Sequence, residues 1–211
     1  TLTEIDVKAA KKSTSEKISK MSGKKMSLRY AVEDSKNGCA YSLYNIITPK
    51  VGLSYIENMN FSKIVQQDYT LSSGLGGLHH GTNTVEMANA YSTLENHGEY
   101  RQADCISSIL DASGNEIYEE PESKTVYTRS ASDQMTDILE GVLNSSAGTA
   151  KGLKWSSASD VAAAAKTGTT NDNNVAWFCG YTPYYTISVW VGYDYPKSVK
   201  GLWGNTYPAY I

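Results

Sequence analysis

The 211-residue chain has little of several things that would define a function at once. Its three cysteines, Cys39, Cys105 and Cys179, are far apart, odd in number and form no Cys-x-x-Cys pair. That pattern argues against a zinc framework; one disulfide could form, and three buried thiols are the simpler expectation. His79, His80 and His97 lie beside Gly81 and Gly98, so they read as surface-loop residues. Neither a metal site nor a cofactor is expected. The net charge of -3 leaves no basic footprint, which argues against a nucleic-acid partner. No run approaches the roughly 20 apolar residues of a membrane span, and no signal peptide opens the chain. The first residue is Thr1 rather than Met, so the chain is expected to be a piece of a longer protein. Phenylalanine is scarce (2) against 16 tyrosines, a bias suited to half-buried strands and polar grooves.

What is present resolves into helices followed by strands. Residues 1–26 are Lys- and Ser-rich and read as a peripheral strand or linker, with a capping box at Ser13-x-x-Glu16. Ser27 is placed to cap a helix carrying Leu28, Ala31 and Val32. A second helix is expected from Asn37 to a stop at Pro49, and a short third around Val51, Leu53, Ile56 and Met59. Ser72 to Leu78 is glycine-rich but lacks the ending of a phosphate-binding loop, so tight backbone packing explains it. Thr82 or Asn83 should cap a helix closed by His97-Gly98. Ala103 to Leu110 is expected to be a strand, turning at Asp111 to Asn115 into a return strand from Ile117-Tyr118. Ser132 should cap a helix through Leu143. Three strands close the chain, at about 161–169, 175–181 and 184–193, the last with period-two alternation. This order predicts an α+β domain over 27–211.

Two short stretches carry chemistry. Lys166-Thr167-Gly168-Thr169 puts a cation, two hydroxyls and a glycine on one extended segment, a compact anion-recognising edge. Thr167 and Thr169 project on the same side because strand side chains repeat every two residues. Ser35-Lys36-Asn37 is a Ser-x-Asn triplet between two predicted helices, a pattern that also suits plain helix capping.

Together with Leu75-Gly76-Gly77-Leu78, Gly81 to Tyr91, Asn96 to Tyr100, Gly148-Thr149-Ala150, Ala176-Trp177-Phe178-x-Gly180-Tyr181-Thr182-Pro183 and Val189-Trp190-Val191-Gly192, these stretches resemble the transpeptidase domain of class A (bifunctional) penicillin-binding proteins. The resemblance runs from about Ser27 to Ile211. It implies the α+β fold shared with serine β-lactamases, an antiparallel sheet with helices packed on it. It implies a serine-type D,D-transpeptidase: a serine attacks the D-Ala-D-Ala end of a peptidoglycan stem peptide, and the acyl group passes to an amine on a neighbouring stem. β-Lactam antibiotics acylate the same serine. The implied partners are stem peptides, β-lactams and the rest of a parent enzyme bearing a glycosyltransferase domain. The implied location is the extracytoplasmic face of a bacterial cytoplasmic membrane.

The resemblance also implies roles. Lys166 supplies a cation for the terminal carboxylate, helped by the hydroxyls of Thr167 and Thr169. Gly168 keeps the strand surface clear. The backbone N–H of Thr169 is an oxyanion-hole donor, a group whose loss typically costs about 2.7–4 kcal/mol of barrier. Ser35 relays a proton to the leaving amine, and Asn37 holds the substrate amide.

The nucleophile is the missing piece. Ser22-Gly23-Lys24-Lys25 is the only Ser-x-x-Lys, and it lies just 13 residues before Ser35, without an apolar helix behind it. In the family this motif opens a buried helix several tens of residues ahead of Ser-x-Asn. Ser22 is therefore a weak candidate, Thr14-x-x-Lys17 a weaker one. Thr1-Leu2-Thr3-Glu4-Ile5-Asp6 resembles the strand that begins such a domain. The expectation is a domain lacking the nucleophile segment and the C-terminal helix, with an exposed apolar sheet face that associates or repacks. A non-catalytic peptidoglycan- or partner-binding remnant is the alternative. A carboxypeptidase or β-lactamase is disfavoured by the Trp177 to Pro183 match and by the lack of a recognisable deacylation base.

Overall fold

The computed structural model describes residues 26–153 and 161–211. Ser22, Thr14, Lys17, the Thr1–Asp6 segment and the Ser13 capping box lie outside them.

The helical half follows its caps. Ser27 is extended and accepts from the Tyr30 N–H at 3.1 Å, opening α1 (Leu28–Glu33). Helix α1 ends where Ser35 takes a left-handed φ of 53°, and the Lys36 N–H reaches back to Ala31 O at 2.8 Å. Helix α2 (Asn37–Ile47) begins at once. Thr48, at φ 72°, ends α2 and caps α3 (Pro49–Asn58). Pro49 thus does more than stop α2. It sits at the first position of α3, where its missing N–H is harmless.

Two 3-10 turns follow, Gln66–Asp68 and Leu71–Leu75. A side chain at Gly74 would meet Tyr44 Cγ at 2.4 Å, so the glycine-rich loop is indeed a close-packing device. Asp68 is buried, and its carboxylate accepts from Val65 N at 2.8 Å and His79 N at 2.5 Å. These bonds, that from His79 first, hold the carboxyl below the ordinary carboxylate range. Asp68→Ala should strand both amides and lower stability by about 2 kcal/mol, read from urea unfolding. The wild-type bonds should persist above the unfolded carboxyl pKa and be lost as pH falls through the lower folded value.

Asn83 caps α4 (Thr84–Glu95) through the Glu86 N–H at 2.8 Å. His97 and Gly98, both at positive φ, close it and lead into β1 (Glu99–Tyr100), which pairs antiparallel with β2 (Lys124–Thr125). The expected strand over 103–110 does not form. Those residues are exposed, and only an isolated bridge joins Leu110 to Glu116. Asp104 takes the Cys105 and Ile106 amides at 2.6 and 2.9 Å, and Glu116 takes those of Ile109 and Tyr118 at 2.9 and 3.3 Å. Local carboxylates capture these four amides, so pairing beside the turn is limited to the bonds flanking the bridge, Asp111 N to Asn115 O at 2.9 Å and Ile117 N to Ile109 O at 2.8 Å, and neither expected strand extends. The turn at Asp111 to Asn115 is present, with Gly114 at φ 83°. Cys105 is exposed here, so only Cys39 and Cys179 are buried, and all three thiols are free.

Helix α5 (Arg129–Asn144) starts one turn earlier than expected, capped by Thr128. Ser132 is a fully buried interior residue whose hydroxyl donates to Leu94 O at 2.7 Å, satisfying a carbonyl at the end of α4. Then come β3 (Ala164–Thr169), β4 (Val175–Tyr181) and β5 (Thr186–Gly192), an antiparallel sheet in that order. Leu139, Val142 and Leu143 of α5 pack on Ala163, Ala164, Ala165, Phe178 and Tyr181. Tyr181 also bonds the Thr136 hydroxyl at 2.9 Å and lies against Tyr91 of α4.

Past β5 the chain folds back to β3, burying Leu202, Gly204 and Pro208. The expected bare sheet face is therefore partly covered. Residual apolar surface lies on β5, where Ile187 and Trp190 are 46% and 37% exposed on an edge unpaired among the described residues. Ile187→Lys should reduce concentration-dependent association measured by analytical ultracentrifugation. If the variant associates as the parent does, the β5 edge is not the sticky surface.

Candidate active site

Strand β3 is an edge strand among the described residues, and its free side is where the site forms. Thr170 N donates across to Val175 O at 3.0 Å. By the alternation of an antiparallel ladder, the N–H groups of Lys166 and Gly168 then face β4, and those of Thr167 and Thr169 face the free edge. The Thr169 N–H is thus left without a partner strand on the open side of the sheet among the described residues.

Lys166 crosses this edge. Its Nζ donates to Ser35 Oγ at 2.8 Å and to Thr167 O at 2.9 Å. Ser35 and Lys166 lie 131 positions apart in sequence, and the fold brings their side chains into contact. Burial desolvates the ammonium and pushes its pKa down to about 8, slightly countered by the Cys179 thiol on the neighbouring strand. With a pKa of about 8 the side chain is mostly protonated at pH 7, and it keeps partial solvent access.

Ser35 is exposed and left-handed, a conformation that is unfavourable for a non-glycine residue by roughly 1–2 kcal/mol. The strain aims the hydroxyl at Lys166. Ser35→Gly should therefore hold or raise the unfolding midpoint by up to a few degrees while removing the hydroxyl partner of Lys166 and leaving its bond to Thr167 O. Ser35→Ala keeps the strain and should lower it; equal midpoints for the two would contradict this account. Lys36 pairs instead with Asp34, at 2.6 Å. Asn37 is exposed at the first residue of α2, two positions from Ser35.

The threonine hydroxyls are less free than the motif alone implies. Thr167 Oγ1 meets Thr149 Oγ1 at 2.7 Å, and Thr169 Oγ1 accepts from Gly204 N at 2.9 Å. Thr169 keeps its own proton to donate. A side chain at Gly168 would touch Trp177 Cβ at 3.4 Å, an ordinary contact. Packing alone does not demand glycine there. Along the same sheet face, Lys166, Cys179 and Ser188 form one row, and a groove between α4 and β5 lies at its far end, lined by Val85, Ala88, Ser92, Thr186 and Ser188. Among the described residues no group of His, Cys, Asp and Glu could hold a metal ion.

The fold that carries this edge strand matches solved structures. The PonA1 protein from Mycobacterium tuberculosis in complex with penicillin V superposes with a TM-score of 0.71 at 23% identity, over 86% of this chain and 53% of that one. Penicillin-binding protein 1A from Haemophilus influenzae gives 0.68 at 19% identity, over 85% and 32%. The shared fold is that of penicillin-binding transpeptidase domains. The sequence agrees: residues 3–206 match the penicillin binding protein transpeptidase domain, and the chain belongs to that family. It is 33% identical to penicillin-binding protein 4 of Bacillus subtilis over 178 residues, 84% of this chain and 28% of that protein. It is 34% identical to penicillin-binding protein 1A of Clostridium novyi over 176 residues, 82% and 20% respectively. The chain thus spans about a quarter of the length of these relatives.

Proposed function

We propose that the chain forms the substrate-facing wall of a peptidoglycan D,D-transpeptidase cleft, binding the D-Ala-D-Ala terminus of stem peptides and the carboxylate of β-lactams. The observation that carries this reading is the 2.8 Å bond from Lys166 Nζ to Ser35 Oγ. It aligns a cation, a hydroxyl and the outward Thr169 N–H along one strand edge.

The roles follow from the chemistry. Lys166 attracts the terminal carboxylate. Its N–H bond to Ser35 Oγ draws density from that oxygen and makes the Ser35 O–H a better proton donor to a leaving amine. Thr169 offers its hydroxyl proton to the carboxylate and its N–H to a developing oxyanion. Asn37 is assigned the substrate amide, a role supported by its exposure at the start of α2, two positions from Ser35. The 27–211 segment carries these groups, and the parent protein would act at the extracytoplasmic face of a bacterial cytoplasmic membrane, alongside a glycosyltransferase domain. Among the described residues no helix is long and apolar enough to cross a membrane.

Acylation needs an attacking serine, and Ser22 is the only Ser-x-x-Lys serine in the chain. These 211 residues alone should bind without forming an acyl-enzyme. The sequence context of Ser22, 13 residues from Ser35 and without an apolar helix behind it, supports that outcome. Incubation with a fluorescent penicillin, followed by intact-mass measurement, should show no covalent adduct. An adduct mapping to Ser22 would overturn the incomplete-site reading and leave the family chemistry whole.

A further inference from the structure

Thr149 follows α5 and uses each of its polar groups on a different segment. Its N–H donates to Glu33 O at 3.1 Å, its carbonyl accepts from Asn205 Nδ2 at 2.8 Å, and its hydroxyl meets that of Thr167 at 2.7 Å. Glu33 ends α1, two residues before Ser35. Thr167 follows Lys166. Asn205 follows Gly204, whose N–H binds Thr169 Oγ1. One residue therefore touches the chain beside Ser35, the motif strand and the returning C-terminal segment.

The turn that holds Thr149 is tied to the end of α5 by backbone hydrogen bonds. Gly148 N donates to Ser145 O at 3.1 Å, and Ala150 N to Val142 O at 3.0 Å. Ala150 is fully buried. A side chain at Gly148 would meet Val142 O at 2.3 Å, so only glycine fits. Glu33 is fixed from the same side: its carboxylate accepts from Ser145 Oγ at 2.7 Å in space left by Gly141.

We infer that Thr149 is a positioning residue of the site. Its hydroxyl holds the Thr167 side chain in one rotamer, and its backbone fixes the separation of Ser35 from Lys166. This rests on the carboxylate-binding reading for its functional consequence. Thr149 itself need not touch substrate. Without the Thr149 hydroxyl, Thr167 loses the bond that selects among its rotamers, and its proton no longer has a fixed direction.

Thr149→Val keeps the shape and removes the hydroxyl; Thr149→Ser keeps the hydroxyl. Two readouts apply to each folded variant: the Thr167 χ1 from three-bond couplings without ligand, and the calorimetric Kd for an acyl-D-Ala-D-Ala peptide. Thr149→Val should average the Thr167 couplings and weaken peptide binding about 5–10-fold, the loss of one hydrogen bond. Thr149→Ser should restore a single rotamer and come within about twofold of the parent, which a merely structural role would not require. A fixed Thr167 rotamer or parental affinity in Thr149→Val overturns the inference. Should the parent ignore the peptide while Thr149→Val still frees Thr167, the carboxylate reading fails and the positioning stands. If Thr149→Val does not fold, Thr167→Val supplies the reciprocal test: the Thr149 χ1 should then average, and a fixed value counts against the inference.

Discussion

Lys166→Met should weaken binding of an acyl-D-Ala-D-Ala peptide by about 30-fold without unfolding the protein. A charge-assisted hydrogen bond contributes roughly 1.5–3 kcal/mol, and methionine keeps the apolar stem while removing the ammonium. The same substitution should leave stability unchanged or higher, because burial of the cation opposes folding. The pH dependence has a definite sign. Lys166 titrates at about 8 in the folded chain and near the ordinary lysine value when unfolded. Between those values the unfolded state holds more protons, so stability rises with pH across that window, and Lys166→Met should abolish the rise. Ligand affinity moves the other way. The protonated fraction drops about tenfold between pH 7 and pH 9, and the peptide Kd should increase about as much. A flat profile across that range would detach carboxylate recognition from Lys166.

The second large effect is on the fold around the site. Gly204→Ala should lower stability by about 3 kcal/mol, near 10 °C in Tm for a chain of this size. Its added Cβ would lie 2.7 Å from Trp177 O and 2.8 Å from both Gly168 O and Thr167 Cβ. Backbone atoms of two paired strands cannot step aside cheaply, so the returning segment must lift. That lift breaks the Gly204–Thr169 and Asn205–Thr149 bonds together. Gly38→Ala in α2 is the matched control. Its Cβ meets nothing within 4 Å, and alanine is the better helix former, so Tm should hold or rise. Comparable losses in both variants, by calorimetry or circular dichroism, would show that the returning segment does not clasp the motif strand.

Much of the helical half was legible because its signals are local. Ser27, Asn37 and Asn83 mark helix starts by side-chain chemistry or position, and the structure starts helices there. The three C-terminal strands were legible from alternation and from turns that interrupt it. Ala103 to Leu110 misled because its residue types suit a strand, while the outcome was decided by Asp104 and Glu116 capturing nearby amides. The start of α5 was missed because its first turn, Arg129 and Ser130, carries no apolar periodicity, which drew attention to Ser132. In the site, the motif residues were named from family likeness, but no spacing rule joins Ser35 to Lys166; only the folded chain does. Thr149 had a sequence likeness and no role, since its importance lies in partners at Glu33, Thr167 and Asn205 that are distant in sequence. Engagement of the Thr167 and Thr169 hydroxyls was invisible for the same reason.

The account centres on recognition of a terminal carboxylate by the Lys166–Ser35 edge. Calorimetric titration at pH 7 with an acyl-D-Ala-D-Ala peptide, beside the same peptide capped as its C-terminal amide, tests this most directly. The free acid should bind with a Kd in the millimolar range or below, and the amide should give no measurable heat. Equal binding of the two, or silence from the free acid at millimolar concentration, would contradict it.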